Sequence, residues 1–256
     1  MARADRLVSD TKRSPTKRSP GRDMTPETRN RLNSAATATL VAALQQRGIG
    51  NTYLSGLQPV RPGQRMLGVA HTLRYLPMRE DLAEQYAGRI NAQRKAVEAL
   101  RPDEVLVIEA RNEPDAGTIG DIYAMRAIQL GAVGIVTDGA LRDTGALRAM
   151  EIPVYHRSSH AATYRRAHMP LDHQIPIACA GVTVMPGDIL VGDDDGVVVI
   201  PAALVDEIAA EAAQKELEEA WGMERVTAGE STDGTFPITP DRRPEFEAWL
   251  AARQEG

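Results

Sequence analysis

Two short stretches of this 256-residue chain hold residues whose types and spacing could do chemistry. The first is Gly117-Thr118-Ile119-Gly120-Asp121; the second is Asp138-Gly139, followed by Arg142-Asp143. A glycine-containing loop that opens a helix leaves backbone N–H groups without intrahelical acceptors, which suits a carboxylate or a phosphate. Two aspartates suit a hard divalent cation such as Mg²⁺ or Mn²⁺, which takes oxygen ligands and keeps several waters. An arginine offers a planar fork to a carboxylate or a developing enolate oxygen. A plainer account fits the same residues: Asp121 as a helix N-cap, and Arg142-Asp143 as a surface pair of little worth.

The elements that must position these residues are legible in the same region. Val105–Ala110 (VLVIEA) is a continuous apolar run of the kind found in buried parallel strands. The stretch DIYAMRAIQLGA follows as a helix with Ile122, Met125 and Ile128 on one face, and Val133–Gly139 reads as the next strand. Strand, helix and strand in so short a span form a right-handed βαβ unit. In an open α/β sheet ligands bind beyond the carboxyl ends of the strands. If the two strands are neighbours, Asp121 and the Arg142-Asp143 pair therefore converge on one cleft.

Elsewhere the chain predicts a helix from Thr25-Pro26-Glu27 to about Gln46, β-like residues around Leu67–Leu73, and a helix from about Leu82 to Leu100. After Pro153, brief strands alternate with turn signals at Pro186–Asp188 and Asp193–Gly196. A helix follows from Ala202 to about Met223, and PEFEAWLAARQ reads as a last short one. His156, His160, His168 and His173 make a zinc site conceivable, but HRSSH lacks the glutamate of a metalloprotease motif. Cys179 lies in an apolar strand and reads as packing. No dinucleotide-binding glycine fingerprint, P-loop or nucleophile elbow is present.

Composition narrows the function classes. Net charge is −5 overall but +5 over residues 1–22, where KRSP occurs twice, leaving −10 for the rest. So acidic a body argues against nucleic-acid binding. The tail, residues 1–24, reads as a disordered basic extension because it has almost nothing apolar to bury. No apolar run reaches the roughly 20 residues of a membrane span, and the start lacks a secretory signal. A lone cysteine fits a reducing cytoplasm.

The segments GTIGDIYAMRAIQLGAVGIVTDGALRD and GVTVMPGDILVGDDDGVVVIP resemble the RraA-like family, which includes the 4-hydroxy-4-methyl-2-oxoglutarate aldolases. The resemblance covers roughly residues 30 to 230. It implies an α/β fold: a layered α/β/β domain of the swivelling, phosphohistidine-domain-like type, here over residues 25–230. Helical arms flank it, and residues 231–256 form a C-terminal extension with a short helix. It also implies a cytoplasmic homotrimer or hexamer with a Mg²⁺- or Mn²⁺-dependent aldolase activity on a small 2-oxo acid, and oxaloacetate decarboxylation beside it. On this resemblance Asp143 would hold the metal, partly through water, and Asp121 would orient metal-bound water or assist proton transfer. Arg142 would contact the keto oxygen, and the backbone of Gly117, Thr118, Ile119, Gly120 and Asp121 would cradle the substrate carboxylate. Glu216 or Glu219 would reach the site of a neighbouring subunit. The family's other branch, non-catalytic regulators of ribonuclease E, lacks the acidic pair present here. One departure is Ala42-Ala43-Leu44, where the family often has Asp-Ala-Leu.

Overall fold

The computed structural model describes residues 24–254, so the KRSP repeats lie outside the described residues. Helices α1 (Pro26–Ser34) and α2 (Thr37–Gln46) lead through the short strand β1 (Gln58–Pro59) into the long strand β2 (Met66–Pro77). Two helical pieces follow, α3 (Ala83–Tyr86) and α4 (Ala92–Glu98). Next comes the unit β3 (Glu104–Glu109), α5 (Asp121–Gln129) and β4 (Gly134–Thr137). Short elements β5 (Ala140–Leu141), α6 (Thr144–Arg148), β6 (Val154–His156) and β7 (Ser158–Ser159) lead to β8 (His168–His173). The hairpins β9 (Ile177–Cys179) with β10 (Val182–Val184) and β11 (Ile189–Asp193) with β12 (Gly196–Ile200) follow. They feed the long helix α7 (Val205–Thr227), and α8 (Arg243–Gln254) ends the described chain.

The main sheet runs β1-β6-β4-β3-β2-β11-β12, with β8 on the far part of β2. Its centre is parallel: β2 with β3, β3 with β4, β4 with β6. The expected βαβ neighbours are therefore adjacent. The two edges are drawn together by one extended segment. Thr52 and Leu54 exchange backbone hydrogen bonds with Val199 and Val197 of β12, at 2.8 and 2.9 Å, and Gln58-Pro59 pairs with β6. The sheet is thus a nearly closed barrel, the form the α/β reading takes here.

Closure explains the unbroken apolar run of β3. Val105 and Val107 point into the barrel interior with Met66, Val136, Tyr155, Leu190 and Val197. Leu106 and Ile108 point outward into a core covered by α4, α5 and α6. A third core lies between the sheet and α1, α2 and α7, around Leu40, Leu44, Val69, Val191 and Ile208.

Three elements differ from the sequence reading. The first helix is two, because Ala35 and Ala36 adopt extended backbone. The break is held by carboxylates: Glu216 accepts from Ala36 N–H and Thr39 Oγ1 at 2.8 and 2.7 Å, and Asp193 accepts from Thr37 N–H and Oγ1 at 2.8 and 2.6 Å. The second helix is broken between Tyr86 and Ala92, where Asn91 caps α4 through Arg94 N–H at 3.0 Å. On α5 the packed face is Ala124, Ala127 and the partly buried Ile128. Ile122 and Met125 are exposed, by 80% and 45%. Periodicity marked a face correctly spaced for burial, but the small alanines are what fit against the sheet.

Candidate active site

The loops after β3 and β4 continue side by side as the strands do. Gly117 forms a parallel bridge with Ala140, Thr118 N–H donates to the Ala140 carbonyl at 2.7 Å, and Arg142 N–H donates to the Ile119 carbonyl at 3.0 Å. This ladder places Arg142 and Asp143 directly over the glycine loop. The glycines are there for space. A Cβ on Gly117 would overlap Arg142 Cγ, and one on Gly120 would lie 2.5 Å from Asp143 Oδ2. Neither needs unusual φ; both need the absence of a side chain.

Asp143 has φ 55° and ψ 35°, the left-handed conformation, at the position preceding α6. Aspartate tolerates this region better than most residues. Its side chain makes no capping bond, so the exposed carboxylate is left for other work. Asp121 opens α5, where the helix N-terminus favours negative charge. One of its oxygens accepts Ile122 N–H at 2.7 Å. Arg142 is half-buried, and its shielded Nε–H has no acceptor. No ion pair ties Asp121, Arg142 or Asp143 to another described residue. All three line one cleft of about 630 Å³, facing Arg94, Glu98 and Arg126.

A cation at this place has two carboxylates to meet, and Mg²⁺ commonly uses one or two with its remaining positions held by water. The donors are carboxylate oxygens outside any ion pair among the described residues, and that of Asp143 is seated where a Cβ on Gly120 would collide, so the residues fit a hard divalent cation. No group of three or more His, Cys, Asp or Glu among the described residues could hold a metal, the five histidines included. His156 Nδ1 is bonded to the Ser158 carbonyl at 2.7 Å. His168 is fully buried beside Arg111, and burial, then the arginine charge, lowers its pKa to about 4.

Not every backbone amide of the glycine loop faces the cleft. Those of Gly117 and Thr118 donate to the carbonyls of Ala162 and Ala140, leaving those of Gly120 and Asp121 without an acceptor among the described residues. Thr118 is buried, and its hydroxyl bonds the Ala140 carbonyl at 2.9 Å, so its side chain supports the loop. Glu216 is engaged within its own chain at the α1–α2 break. Glu219 lines a different groove, of about 470 Å³, between α2 and α7, and its pKa is raised by burial and then by the Glu216 charge.

Two supporting residues carry no signal in the sequence. Tyr75 Oη and Gln93 Nε2 both donate to the Thr118 carbonyl, at 3.1 and 2.6 Å, fastening β2 and α4 to the glycine loop. Asp138, buried just after β4, accepts N–H groups of Ala110, Asn112 and Ala180 at 2.5, 3.2 and 3.1 Å, and burial raises its pKa despite them. Asp193 is bonded to Thr37, Arg65 and the Asp195 amide, which makes the acidic turn structural. Burial pushes the Cys179 thiol up, as expected of an inert packing cysteine.

Comparison with known proteins gives the family. The RraA-like (Aldolase/RraA) family matches residues 37–199. A protein of Halalkalibacterium halodurans named "Putative 4-hydroxy-4-methyl-2-oxoglutarate aldolase" is 30% identical over 165 residues, 64% of this chain and 73% of that protein. Protein DlpA of Legionella pneumophila is 29% identical over 186 residues, which are 73% of this chain and only 29% of DlpA. Among solved structures, Streptomyces coelicolor RraAS2, described as an unusual member of the RNase ES inhibitor RraA family, superposes with a TM-score of 0.72 at 31% identity. That match covers 78% of this chain and 97% of RraAS2. A Pseudomonas syringae protein superposes equally well, with a TM-score of 0.72 at 25% identity, over 83% of this chain and 98% of its own. The chain belongs to the RraA-like family.

Proposed function

We propose that this protein is a divalent-cation-dependent lyase that cleaves a 4-hydroxy-2-oxo acid to pyruvate. The observation that carries the reading is the convergence of Asp121, Arg142 and Asp143, none of them ion-paired, in one cleft. Asp143 would hold Mg²⁺ or Mn²⁺, partly through water that Asp121 orients. When bound, such a cation supplies Lewis-acid polarisation of the substrate's keto group.

The chain's own residues account for the remainder. The amides of Gly120 and Asp121, at the positive end of α5, bind the C1 carboxylate. The free oxygen of Asp121 takes the C4 hydroxyl proton, directly or through water. C4 becomes a carbonyl, the C3–C4 bond breaks, and its electron pair moves onto the keto oxygen as the pyruvate enolate. Arg142 donates to that oxygen as charge develops, which is where electrostatic stabilisation is most effective. Return of the proton to C3 completes pyruvate. Oxaloacetate losing CO₂ leaves the same enolate, so decarboxylation should accompany cleavage. The test is release of pyruvate from 4-hydroxy-4-methyl-2-oxoglutarate, the compound named for the Halalkalibacterium relative. A trimer or hexamer, with α7 of one subunit near the cleft of another, belongs to this proposal.

A second reading, a protein-binding regulator of ribonuclease E, is favoured by the 31% identity to RraAS2 and by the exposed apolar pair Ile122 and Met125 beside the cleft. Ribonuclease E assayed with added protein separates the two. Inhibition that survives Asp143→Ala, without pyruvate release by the wild type, would favour the regulator.

A further inference from the structure

Part of the cleft lining comes from α4, and α4 is fastened to the glycine loop: Gln93 Nε2 donates to the Thr118 carbonyl at 2.6 Å. Arg94, the next residue, lines the same cleft. Its natural helical partner is Glu98, one turn on, but that carboxylate is occupied. Arg126 Nε and Nη2 bond Glu98 Oε2 at 3.1 and 2.6 Å. Arg94 acts on Glu98 only through its charge and is left with a guanidinium that makes no hydrogen bond or close ion pair, in a cleft whose other such arginine is Arg142.

Charge leads to the same place. The cleft holds three arginines (Arg94, Arg126, Arg142) and three carboxylates (Glu98, Asp121, Asp143). With a divalent cation added, it has two positive charges in excess. A 2-oxo acid with one carboxylate balances one of them; a second anionic group balances the other. We infer that Arg94 is a specificity-determining residue that receives a second carboxylate, at the end of the substrate remote from the keto group. This rests on the lyase reading for where the keto group lies, but not on turnover.

The pair 2-oxoglutarate and 2-oxopentanoate tests it, since they share chain length and differ in a terminal carboxylate against a methyl group. Calorimetric titration of the Mg²⁺-saturated protein should show 2-oxoglutarate binding about 10-fold tighter, the scale of one partly exposed charge-assisted hydrogen bond. Arg94→Gln should erase that preference and Arg94→Lys keep part of it. Lys95→Gln, which removes a neighbouring positive charge that does not line the cleft, should leave it intact. Equal binding by wild type, no binding of either acid, or a preference that survives Arg94→Gln would overturn the assignment. A preference dependent on Arg94 in a protein that releases no pyruvate would instead sink the lyase reading and leave Arg94 as a carboxylate-binding residue. Pyruvate release with equal binding of both acids would do the reverse.

Discussion

A Cβ placed on Gly120 would lie 2.5 Å from Asp143 Oδ2, so the carboxylate is seated against bare backbone. Gly120→Ala is accordingly expected to displace Asp143 and leave the sheet intact. We predict Mn²⁺ affinity about 10-fold lower, scaled to the loss of one charged ligand interaction. Mn²⁺ titration followed by electron paramagnetic resonance, with circular dichroism to check the fold, measures this. Unchanged affinity would mean that the seat is unimportant to the cation.

Asp143 holds φ 55° without being glycine. That conformation disfavours an ordinary side chain by about 1 kcal/mol, which glycine avoids. Asp143→Gly should therefore be at least as stable as Asp143→Ala, while both lose lyase activity. Thermal unfolding and a pyruvate assay on the same samples separate the two effects. A glycine variant less stable than the alanine one would contradict the strain argument.

The Thr118 carbonyl accepts from both Tyr75 and Gln93. Tyr75→Phe and Gln93→Leu each remove one donor and leave the acceptor with the other. Each should destabilise by about 1 kcal/mol. If the clamp positions the loop, the larger effect will be on kcat, with KM little changed. A Gln93 variant with normal kcat would make the clamp purely structural.

His168 is depressed to about 4, by burial and then by Arg111. An unfolded histidine titrates near 6.5, so between these values the unfolded chain binds the extra proton. Stability is complete above about pH 6.5 and declines as pH falls toward 4, by at most about 3 kcal/mol. Denaturant unfolding across that range should show the slope, and His168→Gln should flatten it. An equally steep slope in the variant would assign acid sensitivity elsewhere.

Local signals made much of the site readable. The apolar run of β3, the glycine loop and the Arg142-Asp143 pair lie within forty residues, and a βαβ unit has only one common hand. What stayed hidden depends on contacts distant in sequence. Glu216 and Asp193 break the first helix from some 156 to 180 residues away, and nothing near Ala35 marks the break. Barrel closure rests on the segment at residues 52–59, whose pairing with two separate edges has no local pattern. Gln93 and Tyr75 resemble ordinary helix and strand residues until the loop folds against them. Ile122 and Met125 misled for a different reason: spacing reports which residues share a face, not which face has room for them.

Asp121, Arg142 and Asp143 are proposed to form a cation-dependent, enolate-forming site. Its most direct test is pyruvate release from oxaloacetate and 4-hydroxy-4-methyl-2-oxoglutarate by EDTA-treated protein, before and after Mg²⁺ or Mn²⁺ is restored, with Asp143→Ala alongside. Activity is expected to be lost with EDTA, to return with either ion, and never to return in the variant. Turnover indifferent to EDTA, or retained by folded Asp143→Ala, would contradict the proposal.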